Sequence, residues 1–280
     1  MPWTPKKLLI WGKTYPEFSE KYYETVCTGA VDPDSGQLVR IYPITLRYLA
    51  EPFKSYDWVE ARIERNASDP RPESFKIDQD SIKVVGHVNT KDGWGERNKW
   101  VLHDGNVFRS MEALRSAQSR DGSSLGLVRP KQIRHIYCKK RPESDRKEWD
   151  EHRARALAQK ELFVDAETET KDLVYMPVQY RARFSCDDPQ CTAEHDLSIH
   201  DWGIYALSRS QYATRGAAMA EKDVVAKINE MMDAAKREPY FFLGNTKAHP
   251  QSFMIVGLYY PPKVEEPVAR DSGSLKLPGF

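Results

Sequence analysis

No stretch of the sequence approaches the roughly 20 consecutive apolar residues that a membrane-spanning helix needs. The opening MPWTPKKLLIWGKTYP holds too short an apolar segment for a secretory signal. Four scattered cysteines in 280 residues are too few and too unevenly spaced for a disulfide framework, so a reducing, cytoplasmic setting is expected. The net charge is only +1, which excludes a polycation; any nucleic-acid binding must come from a local patch. Neither G-x-x-x-x-G-K-[ST] nor G-x-G-x-x-G occurs, so a P-loop and a Rossmann cofactor site are not expected. No internal repeat marks a solenoid.

What the chain does have is aromatic and charged surface. Charged residues make up 30% and aromatic residues 11%, including 7 Trp and 14 Tyr, more aromatics than a disordered chain carries. A chain of this length buries a substantial core in one or two domains. Residues 7–11 (KLLIW) read as a buried first strand. A hairpin follows, with strands over 23–31 and 38–42 joined through Asp32-Pro33-Asp34-Ser35-Gly36, and Pro43 is expected to stop the second strand. Residues 44–49 suit one helical turn. Residues 58–65 (WVEARIER) alternate apolar and charged side chains as a half-solvated strand does, and further strands are expected over 75–77 and 81–88. Short strands at close spacing with Pro and Gly turns point to a small barrel or sandwich ending near residue 90.

Helices are expected next over 94–102 and 110–120, extended chain over 128–137, and a highly charged, exposed helix over 144–159. A second module begins near Glu161. It has an alternating strand over 178–186 and apolar strands over 240–243 and 253–260. Between them lies a helix over 219–237 that carries Val224, Ile228, Met231, Met232 and Ala235 on one face. Gly244-Asn245 reads as a turn between the last two strands, and the chain from Pro261 as a flexible tail. The expected organisation is α+β: a barrel module with a helical extension (1–143), a charged linker helix (144–160), an α+β module (161–262) and the tail (263–280).

Residues 184–202 (FSCDDPQCTAEHDLSIHDW) concentrate two cysteines, two histidines and four aspartates. Cys186, Cys191, His195 and His200 form a C-x4-C-x3-H-x4-H series, and thiolate and imidazole are the ligands zinc prefers. Strand geometry tests the last of them. If 196–199 is extended, His195 and His200 lie on opposite faces about 16 Å apart. Cys186, Cys191 and His195 are then the stronger set, with His200 or a distant residue completing a structural site. The competing reading is two reduced, half-buried cysteines beside ordinary histidines. Asp196 and Asp201 follow the two histidines, as outer partners of a metal site or as plain strand-end residues.

Three segments taken together carry a resemblance: KTYPEFSEKYYETVCTGAVD (13–32), GQLVRIYPI (36–44) and SDPRPESFKI (68–77). They resemble uncharacterised bacterial proteins with dual OB-like barrels from defence and mobile-element gene neighbourhoods. Cys27-Thr28-Gly29 matches that group's early Cys-Thr-Gly turn, and Gly36 to Arg40 its G-x-x-V/I-R strand. The tryptophan usual in the second strand is replaced here by Leu38 and Val39. The resemblance covers about the first third of the chain and implies an OB-like first barrel, nucleic-acid binding and an antiviral-defence setting, with no known reaction.

The most basic window, 129–155, holds Arg129, Lys131, Arg134, Lys139, Lys140, Arg141, Arg146, Lys147, Arg153 and Arg155, with Tyr137 and Trp149 between them. Cations that neutralise phosphate and rings that stack on bases are what a nucleic-acid groove requires, though mixed-charge helices are common without a partner. Arg40, Arg47, Arg62 and Arg65 extend a basic face on the first barrel. The rival to a binding protein is a nuclease dependent on Mg or Mn, using Asp165, Glu167, His195, His200 or Asp201. A third reading is an interaction module that senses a protein or modified base for a separate protein effector. Cys27 and Cys138 are weaker candidates as nucleophiles; the cations beside Cys138 are expected to lower its pKa.

Overall fold

The computed structural model describes residues 2–19, 23–45, 53–163 and 173–263. Five strands close a barrel: β1 (Thr4–Lys13), β3 (Tyr23–Val31), β4 (Leu38–Thr45), β5 (Asp57–Arg65) and β6 (Ser74–His87). They run in the order β1-β5-β6-β4-β3 and back to β1, with the short β2 (Glu17–Ser19) beyond β3. All pairings are antiparallel except β4 with β6, which is parallel. Leaving β2 aside, this is a Greek-key barrel of the OB type.

The apolar run in β1 is covered on both faces. Leu8 and Ile10 point into the barrel beside Val26, Ile41, Val59 and Ile63. Leu9 and Trp11 point outward into a second cluster with Leu127, Phe242 and Val256. Alternation by two explains why consecutive apolar residues were needed. Pro43 does not stop its strand. The β3–β4 ladder places Tyr42 and Pro43 opposite Cys27 at a bulge, where proline's missing N–H breaks no ladder bond, and β4 runs on to Thr45. The rest of the expected turn at 44–49 lies outside the described residues. The two short strands expected over 75–77 and 81–88 are one bent strand, β6, whose Ser81 hydroxyl accepts the Arg62 N–H at 2.8 Å.

A charged helix, α1 (Lys91–Val101), leads out of the barrel; Asp92, Gly93 and Trp94 hold positive φ, so its regular part begins after Trp94. Beyond it come β7 (Val107–Phe108), α2 (Met111–Asp121), β8 (Leu125–Val128), β9 (Pro130–Lys140) and α3 (Glu143–Phe163). Then follow β10 (Val178–Cys186), β11 (His195–Ser198), α4 (Trp202–Arg215), α5 (Ala217–Met231), β12 (Tyr240–Asn245) and β13 (Phe253–Tyr259). They build a sheet β13-β12-β8-β7 and a sheet β11-β10-β9.

These sheets divide the chain differently from the boundary expected at residue 143. β8 pairs with β12 and β9 with β10, so the chain enters the second module before α3. The four consecutive buried residues of β8 are covered on both faces, Leu125 and Leu127 by the cluster shared with β1 and β4, and Val128 by the one holding Phe184 and Phe241. α3 is an excursion between β9 and β10 that packs beside β2 and β3, and α1 makes the connection between modules. Among the described residues no helix is long and apolar enough to cross a membrane.

Two further elements differ from expectation. Gly244 and Asn245 belong to β12 itself. The helix expected over 219–237 lies over 217–231, burying Ala220, Val224 and Ile228, with Met232 as its C-cap.

The two modules share one apolar cluster. Trp11 stacks flat on Phe242, with ring centroids 4.0 Å apart and planes 4° from parallel, and its indole N–H donates to the Ala30 carbonyl at 3.2 Å. Gly29 makes room for the indole: a Cβ there would lie 1.9 Å from the ring. Gly29→Ala is therefore expected to cost about 1–3 kcal/mol through overpacking. Gly12→Ala, where an added Cβ meets nothing within 4 Å, should stay within about 0.5 kcal/mol of wild type. Equal urea midpoints for the two variants would show that the indole does not fill that space.

Candidate metal centre and ligand-binding face

The pleat of β10 turns Val178, Tyr180, Ala182, Phe184 and Cys186 toward the core. His195 opens β11 directly across from Phe184. The connecting loop is folded by Asp188, whose carbonyl accepts the Cys191 N–H (2.9 Å) and whose carboxylate accepts the Gln190 N–H (3.0 Å). The same carboxylate reaches the start of α2, accepting from Ser110 Oγ (2.8 Å) and Arg109 (2.5 Å), and these donors hold its pKa down at about 2.

The result is a buried group in which one ligand atom each from Cys186, Cys191 and His195 lies within 4.8 Å of the others; Cys191 Sγ is 3.0 Å from His195 Nε2. This cluster can hold a metal ion. Burial, with Glu112 and Cys186 beside it, pushes the Cys191 thiol up to about 12, and burial likewise raises Cys186 and lowers His195. The protein surroundings alone thus disfavour the thiolate, and a soft divalent cation is what would favour it. Cys186 also accepts the Met111 N–H from the first turn of α2. The next residue, Glu112, has its Oε2 3.8 Å from His195 Nε2, buried and without a hydrogen-bond partner, while Oε1 pairs with Arg115 at 3.0 Å.

His200 stands apart from this group. Its Nε2 hydrogen-bonds Ser198 Oγ at 2.9 Å, and its backbone bonds to Ile255 and Tyr15 place the ring between two cavities. Strand alternation explains the separation from His195. Asp201 caps α4, accepting the Ile204 N–H at 3.0 Å, and burial raises its pKa to about 6. Asp196 lies on the outer sheet face, paired with Tyr137 (2.6 Å), Arg181 (2.9 Å) and Arg183 (3.3 Å). None of the three stands as a free carboxylate or imidazole in a nuclease-like cluster. Asp165, Glu167 and Arg47 lie outside the described residues.

A second concave feature lies on the barrel's β3–β4 face. A cavity of about 330 Å³ is lined by Thr25, Cys27, Arg40 and Tyr42 from those strands and by Asn66, Ser68, Asp69 and Arg71 from the β5–β6 loop. Asn245, Thr246, Lys247 and Met254 of the β12–β13 hairpin roof it. Arg40 is 5% exposed and its Nε has no partner, although its other nitrogens reach Cys27 Sγ (3.4 Å) and Ser124 (3.2 Å). Asn245, 3% exposed, leaves Oδ1 unpartnered while its amide nitrogen donates to the Pro250 carbonyl at 2.6 Å. Arg40, Arg71 and Lys247 line the cavity with a single carboxylate, Asp69, which ion-pairs with Arg71 at 2.6 Å and which Arg71 and Ser74 hold well below the usual carboxylate range despite its burial.

The basic window does not form one groove. Arg129 pairs with Glu238, Lys131 with Asp187, Arg134 with Glu194, Arg141 with Asp145 and Arg146 with Asp150. Tyr137 stacks on His135 on the outer face of β9, and Lys139 and Lys140 are exposed at the end of that strand. Cys138 departs from expectation. Burial and the Glu221 carboxylate raise its pKa and outweigh the neighbouring lysines. Of the residues at these two candidate sites, Arg40 stood among those singled out in the sequence; Glu112, Arg71, Asn245 and Lys247 carried no local signal.

Residues 107–276, more than half of the chain, match the family described as Domain of unknown function (DUF8757), and residues 4–103 match Domain of unknown function (DUF8758). No curated protein matches the sequence. Among solved structures, a chain of "Structure and Conformational Change of a Replication Protein A Heterotrimer Bound to ssDNA" is similar, with a TM-score of 0.37 and 7% identity. The match covers 92% of this chain and 49% of that one, so the chain spans about half the length of the protein it matches. The OB assignment of the barrel rests on its strand order.

Burial, with Arg141 and Arg181 nearby, lowers the His200 pKa to about 4. A depressed histidine contributes stability that is present above its unfolded pKa and lost as pH falls toward the folded value. Wild type is therefore expected to lose stability between about pH 6.5 and pH 4 more steeply than His200→Gln, by up to ~1.4 kcal/mol per pH unit. Urea unfolding at several pH values measures the difference, and parallel curves would contradict a neutral, half-buried His200.

Proposed function

We propose that this chain, which belongs to the DUF8757 family, binds single-stranded nucleic acid through the β3–β4 face of its barrel. We further propose that zinc at Cys186, Cys191 and His195 orders the second module. The observation that carries the binding reading is the cavity on that face. OB folds bind oligonucleotides on the sheet formed by their second and third strands and on the loop between the fourth and fifth. Here those are β3, β4 and the 66–73 loop, and they line the cavity. Arg40, Arg71 and Lys247 offer cations to phosphate, and Tyr42, 36% exposed, offers a ring for stacking. At about 330 Å³ the space suits a nucleotide and excludes a duplex.

The zinc reading is supported by two thiol sulfurs and an imidazole nitrogen held close together in a buried site, the donor chemistry of structural zinc. The resemblance of the first third of the chain supplies the proposed setting, bacterial defence or genome maintenance. The half-buried Tyr137 and the exposed Lys139 and Lys140 on β9 are a proposed outer contact for the same strand.

Binding of a labelled single-stranded oligonucleotide, measured by anisotropy across a salt series, tests the reading. Affinity should fall steeply with salt and leave the oligonucleotide intact. Lys247→Ala should weaken binding for all sequences and reduce the slope of log K against log salt by about 0.7. Tyr42→Ala should cost ~1–3 kcal/mol if it stacks on a base. Absence of salt-dependent binding to both DNA and RNA would refute the proposal, as would full affinity in the Lys247 and Tyr42 variants together.

A further inference from the structure

We infer that Glu112 is the fourth ligand of the metal centre, closing a site of two cysteines, one histidine and one glutamate; this rests on the metal reading of Cys186, Cys191 and His195. Glu112 comes from the first turn of α2, far from the cysteine loop in sequence. Its Oε2 lies 3.8 Å from His195 Nε2, buried and without a hydrogen-bond donor. A carboxylate oxygen taken out of water with no partner is costly, and a shared cation removes that cost. The distance to His195 suits one, and Glu112, which stands outside the group whose ligand atoms lie within 4.8 Å of one another, must close on the two sulfurs when the ion binds. With metal–ligand bonds of about 2.0–2.3 Å in a tetrahedron, ligand atoms lie roughly 3.3–3.8 Å apart.

The surroundings support a bound carboxylate rather than a chance neighbour. Oε1 is held by Arg115 at 3.0 Å, which orients Oε2 toward the cluster as an outer hydrogen bond orients a ligand. Met111 N–H donates to Cys186 from the same turn, so α2 reaches two members of the site with consecutive residues. Asp188 clamps the cysteine loop onto Ser110 and Arg109, immediately before that turn, and so fixes the approach of α2 independently of any ion. Two thiolates and one carboxylate leave one negative charge on a divalent ion. Arg115 and the positive end of α2 face that charge. The ion would then join α2, β10, the cysteine loop and β11, which is the work of a closed structural site rather than of a site with an open catalytic position.

The full chain is purified, its metal content is measured, and zinc affinity is determined by competition with a chromophoric chelator. Wild type should hold about one zinc per chain. Glu112→Gln should bind zinc at least roughly tenfold more weakly, the scale of loss seen when a metal-site partner is removed. Its cobalt(II) form should keep the thiolate charge-transfer band and change its visible bands, because both cysteines remain. His200→Gln should match wild type in both readouts. Glu112→Cys guards against a misfolded Gln variant: X-ray absorption should then count three sulfurs around zinc instead of two. Wild type without metal would overturn the metal centre itself. Metal in wild type, with Glu112→Gln unchanged in affinity and spectrum, or with two sulfurs in Glu112→Cys, would overturn the assignment of Glu112 and leave the three-residue centre standing.

Discussion

The flat stack of Trp11 on Phe242 is the contact on which the arrangement of the two modules depends. Trp11 leaves the barrel on the outer face of β1, fills the space kept open by Gly29, and also approaches Gly257 of β13. An indole buries a large apolar area, and a closely stacked ring pair favours one relative placement of its carriers. Polar ties reinforce that placement. Arg40 of β4 reaches Ser124 ahead of β8, and Ser124 in turn donates to Glu73 of the barrel. Asn106 receives the Leu38 N–H and donates to the Gly36 carbonyl. Buried polar groups satisfied across a contact select a single docking geometry where apolar packing alone would tolerate several.

That docking decides the shape of the barrel's strand face. An isolated OB barrel offers its strand face as an open groove. Here the β12–β13 hairpin lies over the groove, Arg71 donates to the Asn245 carbonyl and Lys247 to the Ser68 carbonyl, and the face becomes a roofed cavity. The unpartnered Arg40 Nε and Asn245 Oδ1, a donor and an acceptor, border the same space. The site is contributed by both modules of a chain whose net charge is +1. Arg40, Arg71 and Lys247 line it with one carboxylate, Asp69, which pairs with Arg71, whereas Lys131, Arg134 and Arg146 pair with acids on the outer surface. Surface ion pairs of that kind contribute little to stability, but they reduce the charge available to a phosphate backbone.

The cysteine cluster works at another place in the second module, where β10, β11 and α2 meet. Its loop is organised by Asp188 through ordinary hydrogen bonds, and the ligand atoms of Cys186, Cys191 and His195 stand close together beside it.

Short-range patterns determined much of this protein by themselves. The apolar run 7–11, the Asp-Pro-Asp-Ser-Gly turn, the alternation in 178–186 and the Cys186–Cys191–His195 spacing were legible because strands, turns and ligand loops are set by neighbours within a few residues. The same alternation already separated His200 from His195. α4 was missed because Gly203 and a polar face blur its period, and its buried Ser208 is acceptable only through Tyr180 of another strand. Sheet membership of β8 and β9, the pairing of the basic window and the raised pKa of Cys138 depended on partners far along the chain. So did the approach of Glu112 to His195 and the roof over the barrel face. Tertiary structure alone decided these, because burial, ion pairing and cavity shape are set by which surfaces meet, and no local pattern records that.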